Sequence, residues 1–282
     1  MSRLAETFAR LDGRPALIPF LMAGDPDLEG SGRLLRAVAR VGDIVEVGVP
    51  FSDPIADGPT NQRAAQRALT RGTTLDDVLA LVRALGGEVP VPVVLLTYAN
   101  PVAQYGWERF CRDARAAGVD GVVVPDLPAD EADPLIAPAR ALGLDTIFLV
   151  APTTSRARLQ LAAGRSTGFV YCVSLTGVTG VRRELPPEAV ELLRRVKAAT
   201  DLPACAGFGI ATPEQAEAVG AVADGVIVGS ALVDLVERHG PAAETPLVDL
   251  LGRIRQALAT ARAVRASEMP EAPGRAIAGG AP

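Results

Sequence analysis

The stretch Gly48-Val-Pro-Phe-Ser-Asp-Pro-Ile-Ala-Asp-Gly-Pro-Thr-Asn61 decides how the rest of the chain is interpreted. It follows directly on a strand-like run, residues 44–49, and its three prolines and Gly58 are incompatible with regular helix or sheet. We therefore predict a shaped loop after a buried strand. The loop holds two carboxylates, Asp53 and Asp57, and the strand holds a third, Glu46.

Glu46 is flanked by Val45 and Val47, so burial of the strand desolvates its carboxyl group. Desolvation favours the neutral form and raises the pKa, and a protein can in this way obtain a general acid or base near neutral pH without histidine. The only histidine, His239, lies far along the chain. The alternative is a structural glutamate whose oxygens are satisfied by hydrogen bonds. The neighbouring acidic loop favours the functional interpretation.

Short apolar runs recur along the chain, each followed by a Gly/Pro-rich turn and an amphipathic stretch. They are almost continuously apolar, as expected of strands buried on both faces. Eight such units predict a (β/α)8 TIM barrel. An open doubly wound sheet is the alternative, disfavoured because no Gly-x-Gly-x-x-Gly follows the first run and opens a helix. The runs are residues 16–22, 44–49, 93–98, 121–125, 146–150, 169–174, 204–207 and 226–229.

The barrel is predicted to be a single domain, residues 1–265, with an extra amphipathic helix at its N-terminus. The last helix is predicted over residues 247–264. Residues 266–282 offer little apolar area that could offset the entropy of ordering, so we predict a disordered C-terminal tail.

The composition excludes several classes of partner. The net charge is -5 and no run of Lys or Arg counters it, which argues against nucleic-acid binding. No stretch of about 18 apolar residues could span a membrane, and the N-terminus has no apolar signal core. The three cysteines are far apart and without a Cys-x-x-Cys pair, so they are predicted to be reduced and buried. The chain is therefore predicted to be cytoplasmic.

Barrel active sites form at the C-terminal ends of the strands. Tyr171 lies near the end of the sixth run and is either a core aromatic or a donor to a loop carboxylate. The loop that follows is rich in glycine and threonine, including Thr179 and Gly180, and is predicted to be mobile and rich in donors. Asp25 and Asp126 also follow strands, and Asp25 is predicted to be structural, whereas a ligand contact for Asp126 stays open.

Glycines after the seventh and eighth runs predict a phosphate site. Gly209 follows the seventh run, and Gly229 and Ser230 follow the eighth, where a short helix begins. Exposed N–H groups and a helix dipole at this position of a barrel commonly bind phosphate. A phosphorylated small molecule is therefore the predicted substrate. No cluster with metal-ligand spacing is visible in the sequence.

Several segments together are characteristic of one family. They are Ile18-Pro-Phe-Leu-Met-Ala-Gly-Asp-Pro26, residues 46–59, Thr97-Tyr-Ala-Asn-Pro101, Gly177-Val-Thr-Gly180 and Gly207-Phe-Gly-Ile210. On these residues the chain resembles the tryptophan synthase alpha chain over roughly residues 4–262, and residues 46–59 are the most specific segment. The resemblance implies a lyase of tryptophan biosynthesis, which cleaves indole-3-glycerol phosphate into indole and glyceraldehyde 3-phosphate by a retro-aldol reaction.

The resemblance also implies a partner and the roles of individual residues. A beta chain, in an α2β2 heterotetramer, would receive the indole and carry pyridoxal phosphate, so this chain itself would hold no cofactor. Glu46 would move protons between indole C3 and the glycerol hydroxyl, and Asp57 would accept the indole N–H. Tyr171 would orient Asp57, and Asp53 would face the partner. An apolar slot for indole would consist of Phe20, Leu96 and Phe208, the closing loop would include Thr179 and Gly180, and the phosphate would be held by Gly180, Gly209, Gly229 and Ser230.

One departure from the family pattern is Leu175, where many members have Arg, so the way in which that loop docks stays undecided. A second departure is the C-terminal tail, to which the resemblance assigns no role. Two rival functions stay open. The first is a barrel of the same type that works alone and releases free indole. The second is a catalytically silent barrel that only activates a partner, although the presence of Glu46 and Asp57 counts against it.

Overall fold

Parallel strands of the chain pair side by side into one barrel. The structure, a computed structural model, describes residues 1–173, 186–207 and 209–268. The strands are β1 Ala16–Met22, β2 Val45–Gly48, β3 Val93–Leu96, β4 Gly121–Val123, β5 Asp145–Ile147, β6 Leu149–Val150, β7 Val170–Val173, β8 Ala204–Gly207 and β9 Gly225–Val228. Their spatial order is β5-β4-β3-β2-β1-β9-β8-β7-β6. Because β5 and β6 are pieces of one strand interrupted at Phe148, this order closes the barrel.

Helices alternate with the strands and cover the outside of the barrel. They are α1 Arg3–Arg10, α2 Leu28–Ala39, α3 Pro59–Thr70, α4 Leu75–Leu85, α5 Ala99–Tyr105, α6 Trp107–Ala117, α7 Asp133–Ala141, α8 Arg156–Arg165, α9 Pro187–Ala199, α10 Pro213–Gly220, α11 Ser230–His239 and α12 Glu244–Glu268. Short 3-10 turns follow α4 at Gly86–Glu88 and α11 at Gly240–Ala242.

The predicted N-terminal helix, α1, closes one end of the barrel. Its Leu4 is fully buried and belongs to the interior cluster, together with Ile18 of β1 and Val94 of β3. The Leu4 side chain lies against Gly121, the first residue of β4. The N-terminal end of the barrel is therefore filled with apolar side chains, and the site must lie at the opposite end.

Two helices, α3 and α11, are held together beside the C-terminal end of the barrel. Arg63 and Arg67 of α3 both form ion pairs with Glu237 of α11. A small apolar cluster lies beneath them and consists of Phe20, Met22, Ala64, Ala65, Ala68 and Val233. These contacts set the position of α3, which directly follows the acidic loop.

The predicted (β/α)8 barrel is confirmed, with three corrections at element boundaries. The predicted loop ends before residue 61, because α3 begins at Pro59; proline is tolerated at the first helical position, where its missing N–H is not needed. The fifth strand is broken at Phe148, whose N–H donates to the Ser166 hydroxyl instead. Helix α12 continues to Glu268, beyond the predicted domain boundary at residue 265. The rest of the tail, residues 269–282, lies outside the described residues, and its disorder stays a prediction.

Two further expectations concern membranes and cysteines. Among the described helices, none combines the length and apolar character needed to cross a bilayer. Cys111, Cys172 and Cys205 are all free and buried, as predicted. Burial raises the pKa of each thiol, to about 11 for Cys111 and about 12 for Cys172, which leaves them unreactive at neutral pH.

Candidate active site

Glu46 is an acid in the barrel interior. It lies on β2 in register with Phe20 on β1 and Val94 on β3, and the inward-facing Val94 places Glu46 on the interior face as well. The residue is 1% exposed, and neither of its carboxylate oxygens has a hydrogen-bond partner among the described residues. A buried carboxyl group without partners destabilises the fold. The described residues therefore provide none of the structural hydrogen bonds that the alternative interpretation requires.

The surroundings of Glu46 favour its protonated form. Burial raises the pKa of Glu46 to about 8, and the nearby Asp57 carboxylate adds to the rise. The Tyr171 hydroxyl is near enough to lower that pKa in part, but it does not complete a hydrogen bond of good geometry. Glu46 is therefore mostly protonated at neutral pH, and its pKa is close enough to neutrality for proton transfer in both directions.

Asp57 is held by donors on two different elements. Its carboxylate Oδ2 accepts from the Tyr98 hydroxyl over 2.8 Å, and Oδ1 accepts from Asn61 Nδ2 over 3.3 Å. Burial raises the pKa of Asp57 above its ordinary value, and the hydrogen bonds from Tyr98 and Asn61 lower it in part. Because these donors contact Asp57 and not Glu46, Asp57 is the first of the two carboxyl groups to ionise.

The prediction that Tyr171 orients Asp57 is wrong, because Tyr98 makes this contact. Tyr98 follows β3 and is 1% exposed, and its oxygen also accepts the N–H of Ala56 over 3.2 Å. Burial and the neighbouring Asp57 raise the pKa of Tyr98, so it remains a neutral donor. Sequence reasoning assigned no role to Tyr98 or Asn61. The signal that could have found them was their position: Tyr98 lies inside the characteristic segment 97–101, and Asn61 is the last residue of the stretch 48–61.

Tyr171 faces Glu46 across the barrel interior. It lies on β7 and is 8% exposed, and its ring packs against Phe169 with centroids 6.2 Å apart. Burial and the charge of Glu46 raise the pKa of Tyr171 well above its ordinary value. A Cβ atom at Gly207 would lie 2.6 Å from the Tyr171 ring, so the last residue of β8 must be glycine to leave room for the tyrosine.

Part of the predicted apolar slot is visible beside Glu46. Phe20 is 3% exposed, and Leu96 is half-buried against the same small cluster. A Cβ atom at Gly48 would lie 2.7 Å from Phe20 Cζ, so the glycine makes room for this ring. Phe208, the third predicted residue of the slot, lies outside the described residues.

The N-terminus of α11 has no side-chain cap. Ser230 begins the helix and is exposed, and its N-cap, Gly229, provides no side-chain hydrogen bond. A Cβ atom at Gly229 would contact the Phe20 ring at 3.5 Å, which places this helix end beside the apolar slot. By contrast, α10 is closed by a capping box between Thr212 and Gln215. The uncapped N–H groups of α11 are suited to a phosphate.

Two other residues with predicted roles, Gly209 and Asp53, lie on the surface. Gly209 is exposed with φ +73°, a backbone conformation that favours glycine. Asp53 is exposed on the acidic loop, where it accepts a hydrogen bond from the Ser52 hydroxyl over 2.6 Å. Nearby Ile55 is 82% exposed. Three other residues with predicted roles, Thr179, Gly180 and Leu175, lie outside the described residues.

Two carboxylates that follow strands have structural partners. Asp25 accepts two hydrogen bonds from Arg67, over 2.9 and 2.7 Å, as expected for a structural residue. Asp126 accepts the N–H of Ala99 over 2.9 Å at the start of α5, so its role is structural as well. No group of three or more metal-ligating side chains occurs in the part of the chain that the structure describes.

Together, the barrel, the buried Glu46 and the half-buried Asp57 are the features of a barrel enzyme that uses carboxylate acid–base chemistry. The family model described as tryptophan synthase alpha chain matches residues 8–261. The chain therefore belongs to the tryptophan synthase alpha chain family, as the sequence resemblance implied. The tryptophan synthase alpha chain of Gluconacetobacter diazotrophicus is 52% identical over 273 residues, which cover 94% of this chain and 98% of that relative.

Solved structures agree with this assignment. The tryptophan synthase alpha subunit from Legionella pneumophila has a TM-score of 0.85 and 37% identity, and the match covers 92% of this chain and 99% of that one. A chain from the tryptophan synthase α2β2 complex of Pyrococcus furiosus has a TM-score of 0.82 and 40% identity, covering 85% of this chain and 97% of that one. The fold and its length are thus those of the family.

Proposed function

We propose that Glu46 and Asp57 cleave indole-3-glycerol phosphate into indole and glyceraldehyde 3-phosphate at the C-terminal end of this barrel. Membership of the family makes the chain a lyase of tryptophan biosynthesis. The observation that carries the residue assignment is the buried Glu46, which has no hydrogen-bond partner among the described residues, beside a hydrogen-bonded Asp57. The pair provides one proton donor and one anion in a single site, and the retro-aldol reaction needs both.

Glu46 acts first as an acid and then as a base. Its carboxyl proton is transferred to indole C3, which converts the ring to an indolenine. The resulting carboxylate accepts the proton of the glycerol hydroxyl next to the ring. The bond between C3 and the glycerol carbon then breaks, its electron pair returns to the ring, and the aldehyde forms. Glu46 ends protonated as it began, and a pKa of about 8 suits a group that completes this cycle near neutral pH.

Asp57 stabilises the positive charge on the indole nitrogen. As C3 is protonated, the ring nitrogen gains positive charge, and a carboxylate that accepts its N–H stabilises the indolenine. Both oxygens of Asp57 already accept one hydrogen bond each, but a carboxylate has about four acceptor positions, so room remains for the substrate. The donors from the protein therefore orient the carboxylate without blocking it.

The remaining predicted residues hold the substrate. Phe20 and Leu96, with Phe208, contribute the apolar slot for the indole ring. Ser230 and Gly229, with Gly209 and Gly180, hold the phosphate at the N-terminus of α11. Tyr171 packs beside Glu46 and contacts the indole from the opposite side of the barrel. This arrangement is supported by the position of Gly229 against the Phe20 ring, which joins the two subsites.

The chain functions with a tryptophan synthase beta chain in an α2β2 complex, as in the related Pyrococcus furiosus assembly. The beta chain carries the pyridoxal phosphate and receives the indole, and the alpha chain contains no cofactor. Asp53, exposed on the acidic loop, faces that partner. The enzyme resides in the cytoplasm, where a biosynthetic family of this kind operates.

The test is steady-state cleavage of indole-3-glycerol phosphate by the parent, Glu46→Gln and Asp57→Asn, each with and without a beta chain. General acid–base catalysis contributes about 10²–10⁴-fold, so Glu46→Gln should lose at least this factor in kcat and still bind substrate. Asp57→Asn keeps an acceptor for the indole N–H but removes the charge, so its loss should be smaller. Activity without the beta chain separates an independent indole producer from a chain that depends on its partner.

The matched control is Asp126→Asn, which neutralises a nearby carboxylate whose oxygen accepts a backbone N–H. This variant should retain the activity of the parent. A folded Glu46→Gln protein with a parent-like kcat would contradict the mechanism. A parent without any cleavage activity, even in the presence of the beta chain, would favour the silent barrel.

A further inference from the structure

Asn61 orients its side-chain amide toward Asp57 and leaves its own carbonyl oxygen without a partner. Nδ2 donates to Asp57 Oδ1 over 3.3 Å, whereas Asn61 Oδ1 is buried and has no hydrogen-bond donor among the described residues. Leaving a buried carbonyl oxygen unsatisfied is destabilising. Rotating the amide would place this oxygen against the Asp57 carboxylate, which can only accept hydrogen bonds when it is ionised and so could not donate to it. The amide orientation therefore fits an anionic Asp57.

Neutral donors decide which of the two carboxyl groups carries the charge. The titratable groups that act on Asp57 are Glu46 from β2, Tyr98 after β3 and Tyr171 from β7, and no cation among the described residues contributes to its pKa. Two neighbouring buried carboxyl groups do not both ionise readily. Asp57 receives hydrogen bonds from Tyr98 and Asn61, and Glu46 receives none of good geometry from the described part of the chain.

We propose that Asn61 is a positioning residue that, together with Tyr98, makes Asp57 the ionised member of the pair and leaves Glu46 as the proton donor. This inference rests on the proposed function of the two carboxyl groups. A second residue in the first turn of α3 also contacts Asp57: Gln62 Nε2 donates to its backbone carbonyl over 2.8 Å. The helix thus holds both the backbone and the side chain of Asp57.

The test is Asn61→Leu, which keeps a similar volume, removes the donor and also removes the unsatisfied carbonyl. The carbonyl oxygen without a partner is removed, and water can replace the lost donor at the half-buried Asp57, so the Tm should stay close to that of the parent. In contrast, kcat/KM for indole-3-glycerol phosphate should fall about 10- to 100-fold, because a hydrogen bond to a charged group is lost. The acidic limb of the pH profile of kcat/KM should move to higher pH, since Asp57 then ionises less readily.

The matched control is Gln66→Leu, an amide one turn further along α3 whose side chain is exposed and bonds only to Thr70. Its kcat/KM and pH profile should equal those of the parent. A second variant, Asn61→Asp, keeps the shape but donates only when protonated, so its kcat/KM relative to the parent should decrease as the pH rises.

Two results would overturn the proposal. The first is a folded Asn61→Leu protein with kcat/KM within about twofold of the parent and an unmoved acidic limb. If Asn61→Leu does not fold, the second result applies: a pH profile of kcat/KM for Asn61→Asp that matches the profile of the parent. Failure of the underlying function is seen separately, as absence of cleavage by the parent or full activity of Asp57→Asn.

Discussion

The Tyr98 hydroxyl donates to Asp57 Oδ2 over 2.8 Å, so a residue after the third strand orients a carboxylate in the loop after the second. The same oxygen of Tyr98 accepts the N–H of Ala56, which fixes the backbone next to Asp57. Tyr98 therefore sets both the side chain and the main chain of the acidic loop. Several consequences of this arrangement can be measured.

Tyr98→Phe should lower kcat/KM for indole-3-glycerol phosphate by roughly tenfold or more, since a hydrogen bond to a charged group is removed. The acidic limb of the pH profile should move to higher pH, because the hydrogen bond lowers the pKa of Asp57 in the parent. The control is Tyr105→Phe, which removes hydroxyl contacts to Asp76 and Asp113 far from Glu46. If both variants show the same profile as the parent, Tyr98 has no role in holding Asp57.

Glu46→Gln should change how stability depends on pH. The pKa of Glu46 is raised from 4.5 to about 8 on folding, so its contribution is fully present below pH 4.5 and is lost as the pH rises to about 8. The parent should therefore lose about 1.4 kcal/mol per pH unit across this window relative to the variant, as an upper estimate. Urea unfolding of both proteins at several pH values between 4.5 and 8.5 measures the difference, and a constant difference would contradict the raised pKa.

Ser230→Asp should separate phosphate binding from stability. An acidic residue at a helix N-terminus stabilises the helix by about 0.3–1 kcal/mol, so the Tm should not fall. The added charge should nevertheless repel the substrate phosphate and raise KM by roughly tenfold or more. Ser2→Asp, at the N-cap of α1 on the opposite end of the barrel, is the control with unchanged KM. An unchanged KM for Ser230→Asp would place the phosphate elsewhere.

Asp53→Ala should reduce activation by the beta chain more than it reduces the activity of the alpha chain alone. Asp53 is exposed on the acidic loop, and its side chain accepts a hydrogen bond from the adjacent Ser52 hydroxyl, so little stability depends on it. Rates of indole-3-glycerol phosphate cleavage with and without the beta chain give the ratio. The exposed Asp249 on α12 offers a matched control as Asp249→Ala. Equal activation of the parent and Asp53→Ala would remove Asp53 from the partner interface.

The barrel and its buried acid were predictable because local patterns carry them. Each strand is a short apolar run bounded by turn residues, and the amphipathic helix predicted at the N-terminus is α1. Glu46 stood out because it is a charged residue within such a run. Helix α3 was not predicted, because the prolines that indicated a loop include Pro59, which is compatible with a first helical turn.

The contacts that organise the site depended on tertiary structure. By sequence pattern alone, Tyr98 and Tyr171 are equivalent, because each lies within an apolar run that predicts a strand. Closure of the barrel places Tyr98 beside Asp57, 41 residues away in the chain, and places Tyr171 beside Glu46. Composition and spacing therefore determined the fold and the kind of chemistry. Only the lateral order of the strands decided which donor meets which carboxylate, because hydrogen bonds depend on distances that sequence patterns do not contain.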